Sequence, residues 1–438
     1  MISTCKNNTD YSRVREVLSK ATRLEILPLE DVSFLLTVDG KECWQEIFEA
    51  SSQIKEKVYG KRIVLFVPLY LSNECVNDCL YCGFRRNNTE AVRKTLTVDE
   101  AVREARFLSS RGYRRILLVA GEHPKACNVS YLSRVIEAIY RQTDIRILHL
   151  NAAPMDKEDF RILKSLGVGV YQCFQETYHR ETYSHLHPSG PKANYEWRLN
   201  VMDRAIEAGF DDIGMGILLG LYDWRWDAYA LIAHCHRLIK KYGFGPHTLS
   251  VPRLQYAQAA TYKPEQYAVS DEDFKRITAI YRLALPYVGI VVSTREPASL
   301  RDELFTLGVS QISAGSKTNP GGYENSEHTE QFSLTDNRSL EEIINRIAEL
   351  GLLPSLCTAC YRKGRTGQLF KRLAQGEHMK NFCQQNAILT LYEYICNCSD
   401  KESKALLIHR LLQEIQMMNG KLTDKLRQID EGIKDIHI

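Results

Sequence analysis

VYGKRIVLFVPLYLSNECVNDCLYCGFR (58–85) opens with RIVLFVPL (62–69), a branched, apolar run of strand length, and passes straight into polar residues and cysteines. The same kind of run recurs as RILLVAG (115–121), IRILHLNA (145–152), VGVYQCFQ (168–175), IGMGILLG (213–220), HTLSVPRL (247–254), GIVVSTR (289–295) and VSQISAG (309–315). Amphipathic stretches of helix length lie between them, several opening on Asp or Ser and closing on Gly as capped helices do. Eight strands, each followed by a helix, is the count of a closed (β/α)8 barrel. A doubly wound open sheet is the rival, but it seldom needs eight regular repeats. The expected fold class is therefore α/β, a (β/α)8 TIM-type barrel with a C-terminal α-helical domain.

Working outward, residues 1–60 read as a helical segment without recognisable chemistry, and 61–351 as the barrel. After Gly351 the strand pattern stops: LPSLCTACYRKGRTG is turn-rich, and the remainder of 352–438 reads as helices. Of the 438 residues, 44% are hydrophobic and 25% charged, a balance that excludes a disordered chain. Lys and Arg (57) nearly match Asp and Glu (54), so the net charge of +3 gives no reason to expect a nucleic-acid or membrane partner. No apolar run reaches the roughly 18 residues of a membrane helix. MISTCKNNTDYSRV resembles neither a signal nor a transit peptide, and a cytoplasmic location is expected.

Thirteen cysteines are many for a reducing compartment, and they are uneven. Cys75, Cys79 and Cys82 form one set; Cys357 and Cys360, with Cys383 after twenty-two intervening residues, form another. Cys5, Cys43, Cys127, Cys173, Cys235, Cys396 and Cys398 are left over. In such a chain clustered cysteines read as metal or iron–sulfur ligands before disulfides. The first set follows the first strand, at the rim where barrels build active sites. Three thiolates hold three corners of a cubane and leave one iron open to a small chelating ligand. A zinc knuckle is the bland alternative, with Cys127 a weak candidate for a fourth ligand. The second set admits a second cubane, or zinc with His378 as fourth ligand, and spacing alone leaves these open.

CxxxCxxC with an aromatic before its last cysteine, here Cys75-Val-Asn-Asp-Cys79-Leu-Tyr-Cys82, resembles the signature of the radical S-adenosylmethionine (SAM) enzymes. The resemblance implies a [4Fe–4S] cluster on Cys75, Cys79 and Cys82, and SAM on the open iron, cleaved to methionine and a 5′-deoxyadenosyl radical. It places Tyr81 near the adenine, Glu122 of Gly121-Glu122 at the SAM amino group, and Glu176 and Arg198 at the methionyl end. A rim salt bridge is the competing reading of that last pair.

GEHP, FQETYH, HPSGPK, GLYDWR, GPHTLSVPRL, STREPASLR, GVSQISAGSKTNPGGY and the tail CTACYRKGRTG…C…NAILTLYEY follow one another in this chain. Their order resembles the tyrosine lyases of the superfamily that serve [FeFe]-hydrogenase maturation. Lyases of the thiazole pathway share the barrel motifs but lack the CxxC…C tail. The departures are small: Gln385 precedes Asn386 where proline is frequent, and the N-terminus is short. The resemblance implies cleavage of L-tyrosine to p-cresol and dehydroglycine, then carbon monoxide and cyanide assembled as an Fe(CO)2(CN) unit. It implies a second [4Fe–4S] cluster on Cys357, Cys360 and Cys383, and a labile extra iron with cysteine, for which His247 is the candidate ligand. The partners implied are the hydrogenase maturation machinery and an electron donor. A small zwitterion needs a carboxylate clamp, which points to Arg295 with Ser293 at the end of strand seven; an arginine closing a salt bridge is the alternative.

His179, His185 and His187 share one polar loop and are read as closing over SAM, not as a metal site. Tyr222, Trp224 and Trp226 are expected to pack on the barrel, and Cys396 and Cys398 to be buried small residues. If the two cysteine sets occupied opposite ends, the barrel interior would link them. The rival functions are a 2-iminoacetate synthase for thiamine thiazole, an iron–sulfur carrier that does not turn SAM over, and a zinc-stapled barrel.

Overall fold

A computed structural model describes residues 10–264, 266–324, 328–416 and 422–438; Cys5 lies outside them. Eight parallel strands run in chain order around a closed ring: β1 (Arg62–Ser72), β2 (Arg115–Ala120), β3 (Ile147–Asn151), β4 (Val168–Gln172), β5 (Ile213–Gly216), β6 (Thr248–Ser250), β7 (Gly289–Val292) and β8 (Gln311–Ser313). Pairing of β1 with both β2 and β8 closes it. The fold is the expected (β/α)8 barrel with a helical C-terminal region.

Alternation along β1 sets the inside and the outside. Ile63, Leu65, Val67, Leu69 and Leu71 belong to the large apolar core. Val64, Phe66, Pro68 and Tyr70, one residue out of phase, line interior cavities. Ile116 and Leu118 of β2 join the same core while Leu117 and Val119 face inward. The surrounding helices are capped from the sequence: Thr97 with Glu100, and Ser339 with Glu342, each form a reciprocal capping box.

One expectation fails. The strand pattern does not stop at Gly351, because Leu353–Ser355 forms a ninth strand, β9, parallel to the start of β1. Val64 pairs with β8 and with β9, so β9 occupies the edge of β1 that β2 takes further along. Three residues with a central proline carry little strand signal, and Pro354 is tolerated because β9 pairs on one side only. This short strand delivers Cys357, two residues on, to the N-terminal end of the barrel.

That end is covered by helices from both termini. Helix Lys41–Tyr59 packs on helices Asp271–Ala284 and Ala298–Leu307 and on the tail helix His378–Cys396. Ser51 Oγ donates to the Leu307 carbonyl at 2.7 Å, and the Tyr59 hydroxyl donates to the Tyr287 carbonyl. Cys396 and Cys398 depart from expectation: Cys396 is exposed and Cys398 half-buried, because the helix ends just past Ile395, its last buried residue.

Candidate active site

At the C-terminal ends of the strands a cavity of about 220 Å³ opens. Cys75, Cys79, Tyr81, Cys82, Gly121, Glu122, Glu176, Lys192, Arg198, Ser293 and Arg295 all line it. The upper cysteines sit on a loop held from several directions. Val76 N donates to the Glu122 carbonyl at 2.8 Å, and Leu80 N to the Leu186 carbonyl at 3.1 Å. Asp78 receives Nε and Nη2 of Arg85 at 2.8 and 3.1 Å, and that hydrogen bonding holds its carboxyl below its usual value against burial. Gly121 is needed for close approach: a Cβ there would stand 2.3 Å from the Glu74 carbonyl oxygen.

The thiols suit a cluster. Burial pushes Cys79 up to about 12 and Cys82 up to about 11, so they stay protonated until a cation draws them into ligation. Phe84 N lies 3.4 Å from Cys82 Sγ, an amide placed to donate to a thiolate. Among the described residues no three Cys, His, Asp or Glu side chains converge as ligands of one ion do.

Around the loop the expected residues come together, with two that sequence reasoning missed. Asn77 Nδ2 donates to Glu122 Oε2 at 2.6 Å, and Asn77 Oδ1 accepts from Lys192 N at 2.8 Å. Lys192 Nζ donates to Glu176 Oε1 at 2.6 Å, and Arg198 Nη2 reaches the same oxygen at 3.4 Å. Burial pushes the Glu176 carboxyl up, but Lys192 and Arg198 outweigh it and hold the group below its ordinary value. Lys192 was legible only as the last letter of HPSGPK; nothing in its spacing announces a cavity residue. Tyr81 donates its hydroxyl to His187 Nε2 at 2.8 Å, since a neutral His187 gives its Nδ1 proton to the Tyr183 carbonyl at 2.7 Å. Burial, the main cause, depresses His187 well below its usual value and keeps it neutral.

The other loop histidines do not join it. His179 caps helix Arg180–Leu186 and stacks on Tyr222 at 3.9 Å, while His185 is exposed. Trp224 is buried but Trp226 is 40% exposed, so only the former packs as expected; the helix from Trp224 to Tyr242 buries one face, and Trp226 falls off it. Cys127 does not line the cavity.

Arg295 sits across the cavity beside Ser293. Its guanidinium stacks on Phe332 at 3.3 Å and donates weakly to the Arg253 carbonyl at 3.5 Å. Among the described residues no carboxylate forms an ion pair with it: Glu296, next in sequence, is taken by Arg253. The salt-bridge reading of Arg295 thus finds no partner here.

A second cavity, about 30 Å³, lies at the opposite end, bounded by Arg62, Val64, Arg115, His247, Gln311, Cys357, Cys360, Tyr361, Phe370 and Cys383. Arg62, Arg115 and Gln311 are the first residues of β1, β2 and β8, and His247 directly precedes β6, which fixes this as the barrel's N-terminal end. Ala359 N lies 3.3 Å from Cys357 Sγ, and Arg115 Nη2 donates to the Cys357 carbonyl at 2.7 Å. Burial raises the Cys357 and Cys360 thiols, as at the upper set. His247 packs at a tilt against Phe370, ring centroids 4.2 Å apart, and its Nδ1 meets Asp212 Oδ1 at 3.2 Å, the carboxylate–histidine contact that orients metal-binding imidazoles. Asp212, ahead of β5, was not anticipated. His378 is exposed at the start of its helix and does not reach this cavity.

A (β/α)8 barrel with a cysteine triad on the loop after its first strand defines the class of barrel enzymes that cleave SAM. The family model of the radical SAM superfamily matches residues 69–232, and that of the biotin and thiamin synthesis associated domain matches 250–353. Two solved HydG structures superpose on the chain. One, titled as a maturase of the [FeFe]-hydrogenase, has a TM-score of 0.95 at 40% identity, over 100% of this chain and 97% of that one. The other, from Carboxydothermus hydrogenoformans, has a TM-score of 0.85 at 43% identity, over 95% and 94%. The 2-iminoacetate synthases of Salmonella typhimurium LT2 and Escherichia coli K12 are each 34% identical over 77% of this chain and 89% of theirs. The chain belongs to the HydG family of radical SAM enzymes. Membership implies a [4Fe–4S] cluster and SAM. No helix among the described residues is long and apolar enough to cross a membrane.

Proposed function

We propose that the protein is a tyrosine lyase of [FeFe]-hydrogenase maturation. It cleaves L-tyrosine to p-cresol and dehydroglycine and converts the latter to carbon monoxide and cyanide, delivered as an Fe(CO)2(CN) unit. Dehydroglycine has the composition of one carbon monoxide, one hydrogen cyanide and one water, so the second stage balances without a redox partner. The observation that carries this reading is the pair of cysteine triads at opposite ends of one barrel.

Cys75, Cys79 and Cys82 hold the first cluster. With SAM bound, that centre supplies a 5′-deoxyadenosyl radical. Tyr81, fixed by His187, would sit near the adenine; Glu122, steadied by Asn77, would take the SAM amino group; Glu176 and Arg198, paired with each other, would hold the methionyl end. Arg295 and Ser293 bind the tyrosine carboxylate, which a guanidinium without its own carboxylate is suited to do. Filled barrel walls keep water and stray hydrogen donors away from the reacting carbon. At the other end Cys357, Cys360 and Cys383 would hold the second cluster, and His247, oriented by Asp212, would ligate the extra iron that carries cysteine. The maturation machinery and an electron donor are the expected partners, in the cytoplasm.

Product analysis tests it. Reconstituted anaerobically and reduced with SAM and L-tyrosine, the protein is expected to yield p-cresol, cyanide and carbon monoxide. Glyoxylate and ammonia in place of the diatomics assign a 2-iminoacetate synthase instead, and absence of 5′-deoxyadenosine assigns a cluster carrier.

A further inference from the structure

Glu176 adopts φ +71°, a left-handed backbone that residues with a Cβ seldom take without support. On one side that support is backbone pairing, with Leu218 N donating to the Glu176 carbonyl at 2.8 Å. On the other it comes from side chains: the Tyr195 hydroxyl donates to the Tyr178 carbonyl at 3.0 Å, and Asp227 reaches in from the far side of the loop. Asp227 Oδ1 accepts from Tyr178 N at 2.7 Å and from Thr177 Oγ1 at 3.1 Å, so it holds the two residues that follow Glu176. The same helix, Trp224–Tyr242, clasps the loop again two turns on, where the Tyr178 hydroxyl meets His234 Nδ1 at 2.9 Å.

Asp227 is 2% exposed, both its donors are neutral, and among the described residues no cation pairs with it. A buried carboxylate without a counter-charge costs stability, so its presence suggests that geometry is what it serves. It belongs to GLYDWRWD (220–227), a stretch for which the site described above has no use.

We propose that Asp227 is a positioning residue for the cofactor clamp: by fixing the turn after Glu176, it aims that carboxylate at Lys192 and Arg198 in the upper cavity. The proposal rests on the reading that Glu176 and Arg198 hold the methionyl end of SAM.

Three variants test it, Asp227→Ala, Asp227→Asn and Glu176→Gln, with two readouts. The first is amide exchange of the peptide containing Tyr178 in the protein without SAM. The second is the SAM dissociation constant of the reconstituted enzyme by equilibrium dialysis, with iron content measured alongside. Asp227→Ala is expected to speed exchange of the Tyr178 amide and weaken SAM about tenfold at unchanged iron content, the scale on which orienting residues act. Asp227→Asn, whose Oδ1 can accept from both Tyr178 N and Thr177 Oγ1 as the carboxylate oxygen does, is expected to restore both. Should Asp227→Ala not fold, Thr177→Val removes one of the two bonds at nearly constant shape and is expected to act in the same direction. Wild-type exchange and SAM affinity in the Asp227 or Thr177 variants, with SAM weakened by Glu176→Gln, overturn the proposal alone. Unchanged affinity in Glu176→Gln overturns the reading of Glu176 and the proposal with it.

Discussion

Replacing Arg295 separates a substrate clamp from a structural arginine. In the protein as it stands, the guanidinium keeps one long hydrogen bond, 3.5 Å to the Arg253 carbonyl, and its stacking on Phe332. Neither contributes much to the fold: removing both costs about 1 kcal/mol, a Tm change of about 2 °C in a chain of this size. Against a bound carboxylate the same group would make two charge-assisted hydrogen bonds in a cavity walled by Tyr70, Phe332 and Leu254, each bond worth roughly 1.5–3 kcal/mol. Taking about 3 kcal/mol for the pair, at about 1.4 kcal/mol per decade, Arg295→Met lowers kcat/KM for L-tyrosine roughly 100-fold. Arg295→Lys keeps the charge but not the fork, and falls about tenfold. The assay is p-cresol formation against L-tyrosine concentration, with a melting curve for each variant. A Tm lowered by many degrees with kcat/KM within threefold of wild type would refute the reasoning and return Arg295 to the scaffold.

Two further outcomes follow from local geometry. Gly121→Ala places a Cβ 2.3 Å from the Glu74 carbonyl oxygen, pushing back the loop that begins at Cys75; bound iron after reconstitution should fall by about four per chain, one cubane, while the lower set stays loaded. Asp227 has its carboxyl pushed up to about 7 by burial, with Tyr178 N and Thr177 Oγ1 opposing. Because the folded value lies above the unfolded one, the stability it contributes is full below about pH 4 and is lost as pH rises through about 7. Asp227→Asn should therefore melt higher than wild type at pH 8, by an amount on the order of a few kcal/mol, and show no such advantage near pH 4; a pH-independent difference in Tm contradicts this.

Much of the barrel was legible because parallel strands buried on both faces are continuous apolar runs. All eight runs became strands, but most stop short of the runs' ends. IGMGILLG continues past β5, and HTLSVPRL past β6, into residues such as Leu218, Pro252 and Leu254 that lie beyond the strands and line the upper cavity. Apolar character there marks a cavity wall as much as a strand. The cysteines were legible because their spacing is local. Lys192, Asn77 and Asp227 were not, because each gains its partner from a segment distant in sequence: Lys192 meets Glu176 across 16 residues, and Asn77 meets Glu122 across 45. Nor did the sequence say which end the tail covers; that follows from β9, three residues with a proline among them.

The central claim is that two triads at opposite ends of one barrel divide the reaction. The most direct test compares wild type with Cys357→Ser/Cys360→Ser, each reconstituted and supplied with SAM, reductant and L-tyrosine, measuring p-cresol, cyanide and carbon monoxide. The account predicts p-cresol from both proteins and carbon monoxide from the wild type alone. Carbon monoxide from the double variant at the wild-type rate would contradict it.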